Sequence, residues 1–390
     1  MPIKSIKIML EPNNKQLTEF FRCAGISRFV YNWVLGRQQE NYKNGGKFIS
    51  DNDLRKEFTQ LKKQEEYKWL NDNSSNAQQQ AIKDACNSYE RFFKAYSKFP
   101  KFKSRKKSKP SFYQDVLKIK FTNTHVKLQK ISKSTKKNKQ KLNWIRLAEH
   151  NRIPTDCKYS NPRITYDGVN WWVSVGIECE NNQETPKNKP IGIDLGIKDL
   201  AICSDDNIYK NINKTKKIKK LEKKKRRLQR RVSKKYLINK KGENYCKTSN
   251  IIKSEKELLK LNHKLTNIRD NYLHQTTSEI VGRKPSYITI EDLNISGMMK
   301  NRHLSKAIAQ QKLYEFTRQL EYKCRWNNIE LRKVDRFFPS SKMCCKCGFI
   351  DKELKLSDRI YECKCCGNVM DRDYQASINL RDATEYKVIA

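Results

Sequence analysis

The spacing of hydrophobic positions changes several times along the chain, and each change marks an element. "SIKIML" near the start alternates and predicts a short strand, and from about residue 14 the spacing turns helical. Phe29, Val30, Trp33 and Val34 recur at helical intervals, as do Leu54, Phe58 and Leu61. A third helix is predicted after Ser74 and Ser75 as caps, with Ile82, Cys86, Tyr89, Phe93 and Tyr96 on one face. These aromatics read as the core of a helical subdomain.

From Pro100 the pattern becomes "KFKSRKKSKPSFYQ" after the proline, a basic loop with Phe99, Phe102, Phe112 and Tyr113 interleaved. Period-two segments follow at Leu117, Ile119 and Phe121, at Val126 and Leu128, and in "PRITYDGVNWWVSVGIE", where Asp167-Gly168 between two runs signals a hairpin. Residues 100–180 are therefore expected to form an antiparallel sheet or small barrel, completed by the first strand. "ENNQETPKNKP" reads as a polar linker, with a new domain beginning near 188.

That domain opens on two apolar strands, "PIGIDLG" and "DLAICSD". A thin seam of Ile218, Leu221, Leu228 and Val232 then faces a second seam of Leu258, Leu261, Leu265, Ile268 and Tyr272, with a loop around Gly242 between them. The two predict an antiparallel helical hairpin, cationic outside its one apolar stripe.

Two acids interrupt this apolar patterning. In "IGIDLGIKDL" the residues Ile191, Ile193, Leu195 and Ile197 read as a strand buried on both faces, which normally excludes an unpaired carboxylate, yet it holds Asp194. "SYITIEDLNI" repeats the pattern, with Glu291 at the end of a strand carrying Ile288 and Ile290, and "DRDYQASINL" adds Asp371 and Asp373 at a helix start. Such acids destabilise one another unless a cation sits between them. Magnesium or manganese suits a few carboxylates plus water and substrate phosphate, and a pair of ions would activate a water and stabilise the leaving oxygen of a phosphodiester. An early strand, a later one about a hundred residues on and a closing helix match an RNase H-like sheet. "GIDLG" also opens the phosphate loop of actin-like and Hsp70-like ATPases, but Ile197 and Lys198 stand where Thr or Ser is expected there.

Charge narrows the partner. The 390 residues carry 83 Lys+Arg against 42 Asp+Glu, a net +41 that calls for a polyanion, and nucleic acid fits where no apolar anchor points to a membrane. The start "MPIKSIKIML" has charges where a signal peptide would be apolar, so a cytoplasmic location is expected, nucleoid-associated where the host is a prokaryote. Arg226, Arg227, Arg230 and Arg231 in "KTKKIKKLEKKKRRLQRRVSKK" concentrate guanidinium groups suited to phosphate. Lys103 and Arg105 in the basic loop are further contact candidates, as are Gln80, Lys83, Asn87 and Arg91, opposite the aromatic face of the third helix.

Of thirteen cysteines, six fall in residues 344–366. Cys344-x-x-Cys347 and Cys363-x-x-Cys366, fifteen residues apart, predict a structural zinc with two knuckles, and Gly348 and Gly367 just after the closing ligands favour those turns. Cys345 and Cys365 are then bystanders. The five histidines, His125, His150, His263, His274 and His303, are scattered, which argues against histidine-based metallonuclease or zinc-hydrolase chemistry.

Together "GIDLGIKDLAICSD", "LEKKKRRLQRRVSKK", "ITIEDLNISGMMKNRHLSKAIAQQ", "FTRQLEYK", "VDRFFPSSKMCCKCG" and "DRDYQASINL", with "RFVYNWVL" and "FPKFKSRKK" upstream, resemble the TnpB family encoded by IS200/IS605-type transposons and related to compact type V CRISPR effectors. The resemblance spans essentially the whole chain. It implies an RNA-guided DNA endonuclease cutting beside a short flanking motif, with Asp194, Glu291 and Asp373 as catalytic acids holding Mg2+ or Mn2+, and with Zn2+ on the four cysteines. Its partners would be double-stranded target DNA and a guide RNA from its own element or a CRISPR array.

The implied fold is a multidomain α+β chain. A wedge β-barrel takes 1–13 and 97–185, and a helical recognition domain takes 14–96. An RNase H-like (RuvC) α/β nuclease domain takes 188–340 and 368–390, including a basic helical hairpin at 211–280, and a zinc ribbon is inserted at 341–367. Gln375 stands where the family usually has Asn, and Met370 where it often has His. Rival readings are a nuclease-inactive RNA-guided repressor, against which the intact acids argue, and a transposase acting directly on element ends.

Overall fold

The computed structural model describes residues 3–131, 141–178, 186–355 and 358–390. The chain divides into two compact units, residues 1–180 and 181–390.

The first unit joins a sheet to helices. Strands β1 (Ile3–Glu11), β2 (Ser111–Tyr113), β3 (Lys120–Phe121), β4 (His125–Lys127), β5 (Trp144–Leu147), β6 (Tyr159–Tyr166) and β7 (Trp171–Glu178) form one antiparallel sheet in the order β2-β6-β7-β1-β5-β4-β3. The first strand is therefore central, pairing with β7 from Ile3↔Glu178 to Leu10↔Trp171. The turn into helix α1 (Asn14–Lys43) is fixed by a capping box in which Asn13 Oδ1 accepts from Gln16 N–H at 2.9 Å and Gln16 Oε1 from Asn13 N–H at 3.0 Å. Phe20 of α1 meets Trp171 edge-on at 5.1 Å, seating the helix on the sheet.

Helices α2 (Asp51–Leu61) and α3 (Ser75–Phe93) pack on α1 through Val30, Val34, Leu54, Phe58, Ile82, Cys86 and Tyr89. Arg163 of β6 grips Asp84 of α3 with two bonds of 2.7 and 2.8 Å. Three apolar positions depart from the pattern. Leu117, Phe93 and Tyr96 are exposed, because the chain turns at Leu117 and α3 ends at Phe93 before its last aromatics reach the core. The β6–β7 connection is also longer than a two-residue turn. It takes Asp167 to Asn170, with Gly168 at φ +100° and Asp167 Oδ1 accepting from Val169 and Asn170 N–H at 2.8 Å each.

The second unit is built on a mixed sheet. It is introduced by β8 (Ile191–Leu195), β9 (Asp199–Cys203) and β10 (Ile208–Lys210), and Ile197 lies outside the strand its pattern suggested. Helix α4 (Lys216–Ile238) then runs into a small hairpin of β11 (Lys240–Lys241) and β12 (Asn244–Tyr245), whose turn holds Gly242 at φ +56°, and helix α5 (Ser249–Gly282) returns. Leu228 of α4 and Leu261 and Leu265 of α5 are buried, and Glu222 and Arg269 pair at 2.8 Å between the two helices.

Strand β13 (Tyr287–Ile290) lies parallel to β8 and to β14 (Glu330–Lys333). Between β13 and β14 run the short helices α6 (Ile295–Met298) and α7 (Ser305–Gln311) and the longer α8 (Leu313–Trp326). Strands β15 (Ile360–Glu362) and β16 (Val369–Asp371), helix α9 (Arg372–Arg381) and strand β17 (Lys387–Val388) complete the chain. The main sheet runs β10-β9-β8-β13-β14-β17.

Alternation assigns its two faces. Ile191, Ile193 and Leu195 of β8 pack with Leu273 and Ile280 of α5 and Phe316 and Leu320 of α8. Gly192, pointing the other way, lies under α9, where a Cβ would stand 2.0 Å from the Ser377 carbonyl oxygen and 2.4 Å from the Arg381 nitrogen. Among the described residues no helix is long and apolar enough to cross a membrane.

Candidate active site and metal centre

Asp194 has the parity of Gly192, so its carboxylate issues from β8 on the α9 side of the sheet. In the parallel β8–β13 pair Ile193 is opposite Ile290, so the residues one further along, Asp194 and Glu291, leave the carboxyl ends of adjacent strands together. That edge is where open α/β sheets bind ligands. Asp373 arrives from the first turn of α9, a helix capped by Asp371, whose Oδ1 accepts from the Asp373 and Tyr374 N–H groups at 3.0 Å. Asp371 is thus a cap.

Burial pushes the Asp194 carboxyl well above the usual carboxylate range, and the neighbouring charges of Glu291 and then Asp373 push it further. Burial also raises Glu291, while a hydrogen bond from Ser340 Oγ opposes the rise. Asp373 is flanked by Arg372 at 3.2 Å and Arg359 at 3.6 Å. Hard oxygen donors on mutually destabilised carboxylates fit a hard divalent cation.

The sequence gives no signal for Ser340, nor for Asn379 of α9, whose Nδ2 donates to the Ser340 carbonyl at 2.7 Å and to that of Met343 at 2.6 Å. These bonds fasten α9 to the segment that carries both Ser340 and the first cysteine knuckle.

The knuckles converge. The sulfurs of Cys344, Cys347, Cys363 and Cys366 all lie within 4.8 Å of one another, with Cys344–Cys366 at 3.6 Å and Cys347–Cys363 at 3.5 Å. Tetrahedral zinc with bonds of about 2.3 Å holds its sulfurs about 3.8 Å apart, so the four fit that ion with little movement. Gly348 at φ +74° and Gly367 at φ +67° close the two turns. Cys345 is turned away, its sulfur 3.6 Å from Met370 Sδ, and Cys365 is outside the cluster. Among the described residues this is the single group of three or more such ligands placed closely enough to share an ion. Gln375 is buried beside the cluster and accepts from Asn368 Nδ2 at 3.4 Å.

The cationic candidates separate into exposed and engaged groups. Arg226, Arg227, Arg230 and Arg231 are all exposed on α4, with Arg231 paired to Glu257 of α5. Arg105 is exposed, whereas the Lys103 ammonium sits 3.5 Å from the centre of the Tyr31 ring. On α3, Lys83, Asn87 and Arg91 are exposed, and Gln80 is half-buried and donates to Asp84 at 2.9 Å.

Residues 173–302 match a family model described as "Probable transposase", 314–380 one described as "Cas12f1-like, TNB domain", and 1–47 one described as "Helix-turn-helix domain", although that last span holds one strand and a single long helix here. A protein of Escherichia coli K12 named "Putative RNA-guided DNA endonuclease InsQ" is 29% identical over 97% of this chain and 91% of its own length. A cryo-EM structure of a Cas12f1-sgRNA-target DNA complex aligns over 99% of both chains with a TM-score of 0.62 at 14% identity, a likeness of fold. A Streptomyces pristinaespiralis protein named "Putative RNA-guided DNA endonuclease" is 30% identical over 97% of this chain and 88% of its own length. With that identity over nearly the whole of both chains, this protein belongs to the TnpB family.

Proposed function

We propose that the protein is an RNA-guided endonuclease that cuts double-stranded DNA beside a short flanking motif, using Asp194, Glu291 and Asp373 of an RNase H-like (RuvC) centre. The observation that carries the reading is the pairing of Asp194 and Glu291 on adjacent parallel strands, on the face covered by the helix bearing Asp373. The names of the relatives support the same activity.

Bound Mg2+, or Mn2+, would supply charge to neutralise the acids and acidity to the attacking water. The chain's own groups do the rest. Asp194 and Glu291 would hold the cation from β8 and β13, Asp373 would close the site from α9, and Ser340 keeps the Glu291 carboxylate oriented. Arg226, Arg227 and Arg230 on the solvent side of α4 suit the nucleic-acid backbone, whose contacts position the complex without reading sequence. Guide pairing would then read the target, while the first unit reads the flanking motif.

In this reading 1–13 and 97–185 form the wedge, 14–96 the recognition helices, 188–340 and 368–390 the nuclease domain, and 341–367 a ribbon closed by Zn2+. The ribbon's role is structural, bracing the segment between Ser340 and Asp373.

The match to a model described as a transposase favours one second reading, direct action on element ends. A cleavage assay on duplex DNA, with and without the RNA that co-purifies, decides. Cutting that needs the RNA and a matching target, and that is lost in Asp194→Ala while guided DNA binding persists, is expected. RNA-independent cutting or joining of element ends would establish the second reading, and cleavage retained in Asp194→Ala would remove the acid assignment.

A further inference from the structure

Phe93, expected in the core, is instead 64% exposed, and it lies in an aromatic pocket of 780 Å³ with Phe48 and Phe99 where α1 and α3 end. A buried aromatic needs no partner, but several large ones left open at one place mark a binding site.

The pocket is built. Gln38 of α1 exchanges two hydrogen bonds with the Ile49 backbone, at 2.7 and 3.1 Å, and Asn41 Nδ2 donates to the Lys47 carbonyl at 2.5 Å, so the strap carrying Phe48 is clamped to the helix. The turn before it uses Gly45 at φ +74°. Phe48 and Phe93 meet at 90° with centroids 5.9 Å apart, and Phe92 and Phe99 at 85° and 5.2 Å. Tyr89 stacks on one side of Phe93 with centroids 6.2 Å apart, and this packing braces the rings while Phe48, Phe93 and Phe99 keep surface open to solvent. Lys43 and Lys47 stand at the rim.

We propose that this pocket stacks unpaired bases of RNA. Exposed aromatic rings beside lysines are what single-stranded nucleic acid binds, bases on the rings and phosphates on the ammonium groups. A second copy of the chain would bring the same lysines together on a protein of net charge +41, so like charges oppose that occupant. The choice of RNA over single-stranded DNA rests on the proposed RNA-guided function, because a resident guide would cover an exposed apolar site throughout the life of the complex.

The test measures binding of the full-length protein to labelled 12-nucleotide oligouridine, oligodeoxythymidine and a DNA duplex at one ionic strength. Phe48 and Phe93 are changed together to Ala and, separately, together to Leu, which keeps apolar bulk but removes the ring face. Both double variants are expected to bind oligouridine about tenfold more weakly with duplex binding unchanged. Unchanged oligouridine binding, full binding in the Leu variant, or a loss confined to oligodeoxythymidine would each overturn the proposal. So would a wild-type dimer in sedimentation that both variants dissolve. Guided cleavage by the wild-type protein is scored in parallel. If the rings matter for RNA but no guided cleavage occurs, the nuclease reading falls and the site stands. If guided cleavage occurs but the rings do not matter, the site falls alone.

Discussion

Gly192 lies directly beneath Ser377, and a Cβ on the glycine would stand 2.0 Å from the serine carbonyl oxygen. The obstacle is helix backbone, which cannot swing aside as a side chain can. Gly192→Ala is therefore expected to lift α9, lower stability by about 3 kcal/mol and abolish cleavage by displacing Asp373. Gly36→Ala, in α1 where nothing lies within 4 Å of the new methyl, should instead stabilise by about 0.5–1 kcal/mol. Thermal unfolding of the two variants checks the contrast, and equal effects would mean that the close approach under α9 is unimportant.

Ser340→Ala removes the hydroxyl that donates to Glu291. A hydrogen bond to a charged acceptor contributes about 1.5–3 kcal/mol, so single-turnover cleavage should slow about tenfold or more while metal content of the cysteine site is retained. A wild-type rate would show that Glu291 is positioned without it.

The cysteine register yields a separate expectation. Cys345→Ser and Cys365→Ser should keep one zinc per chain by metal analysis, because neither belongs to the convergent group. Cys347→Ser or Cys366→Ser should lose the zinc and depress cleavage, through the Asn379 bonds that join the knuckle segment to α9. Zinc lost from Cys345→Ser but kept in Cys344→Ser would reverse the register.

Replacing Arg226, Arg227, Arg230 and Arg231 with Gln should weaken nucleic-acid binding without altering sequence preference. The salt slope should fall by roughly 0.7–0.9 for each phosphate that the variant no longer neutralises, with Arg231 mattering least because Glu257 already pairs with it. Binding titrations across a salt series measure this, and an unchanged slope would leave α4 as a solvated surface.

Lys323 makes a pH prediction away from the site. Its Nζ is buried among Thr277 Oγ1, Ser278 Oγ and the His274 carbonyl at 2.6, 2.8 and 2.9 Å, and burial lowers its pKa from 10.5 to about 8. Between those values the unfolded chain holds a proton that the folded chain has released, so this group's contribution to stability rises with pH across that window and is lost as pH falls through about 8. Unfolding of Lys323→Met should show a flatter pH dependence there than the parent, and parallel profiles would disprove the shift.

Several features of the site were legible in the sequence for identifiable reasons. A carboxylate inside an apolar strand is so unfavourable that Asp194 and Glu291 stand out from the pattern alone. The cysteine register follows from the two-residue spacing and the glycines behind it, because turn geometry is local. The helical hairpin around Gly242 is likewise carried by short-range periodicity.

Tertiary structure decided what depends on distant segments meeting. Only the parallel alignment of Ile193 with Ile290 puts the two acids side by side, across almost a hundred residues of sequence. Ser340 and Asn379 act through single polar groups that leave no periodic trace. Phe93 and Tyr96 continue a buried stripe in the sequence yet are exposed, because periodicity records which face a residue shares and not where the neighbouring helix stops. The same holds for Gly192, which as sequence is one small residue in a strand, and which the fold turns into the point where helix and sheet touch.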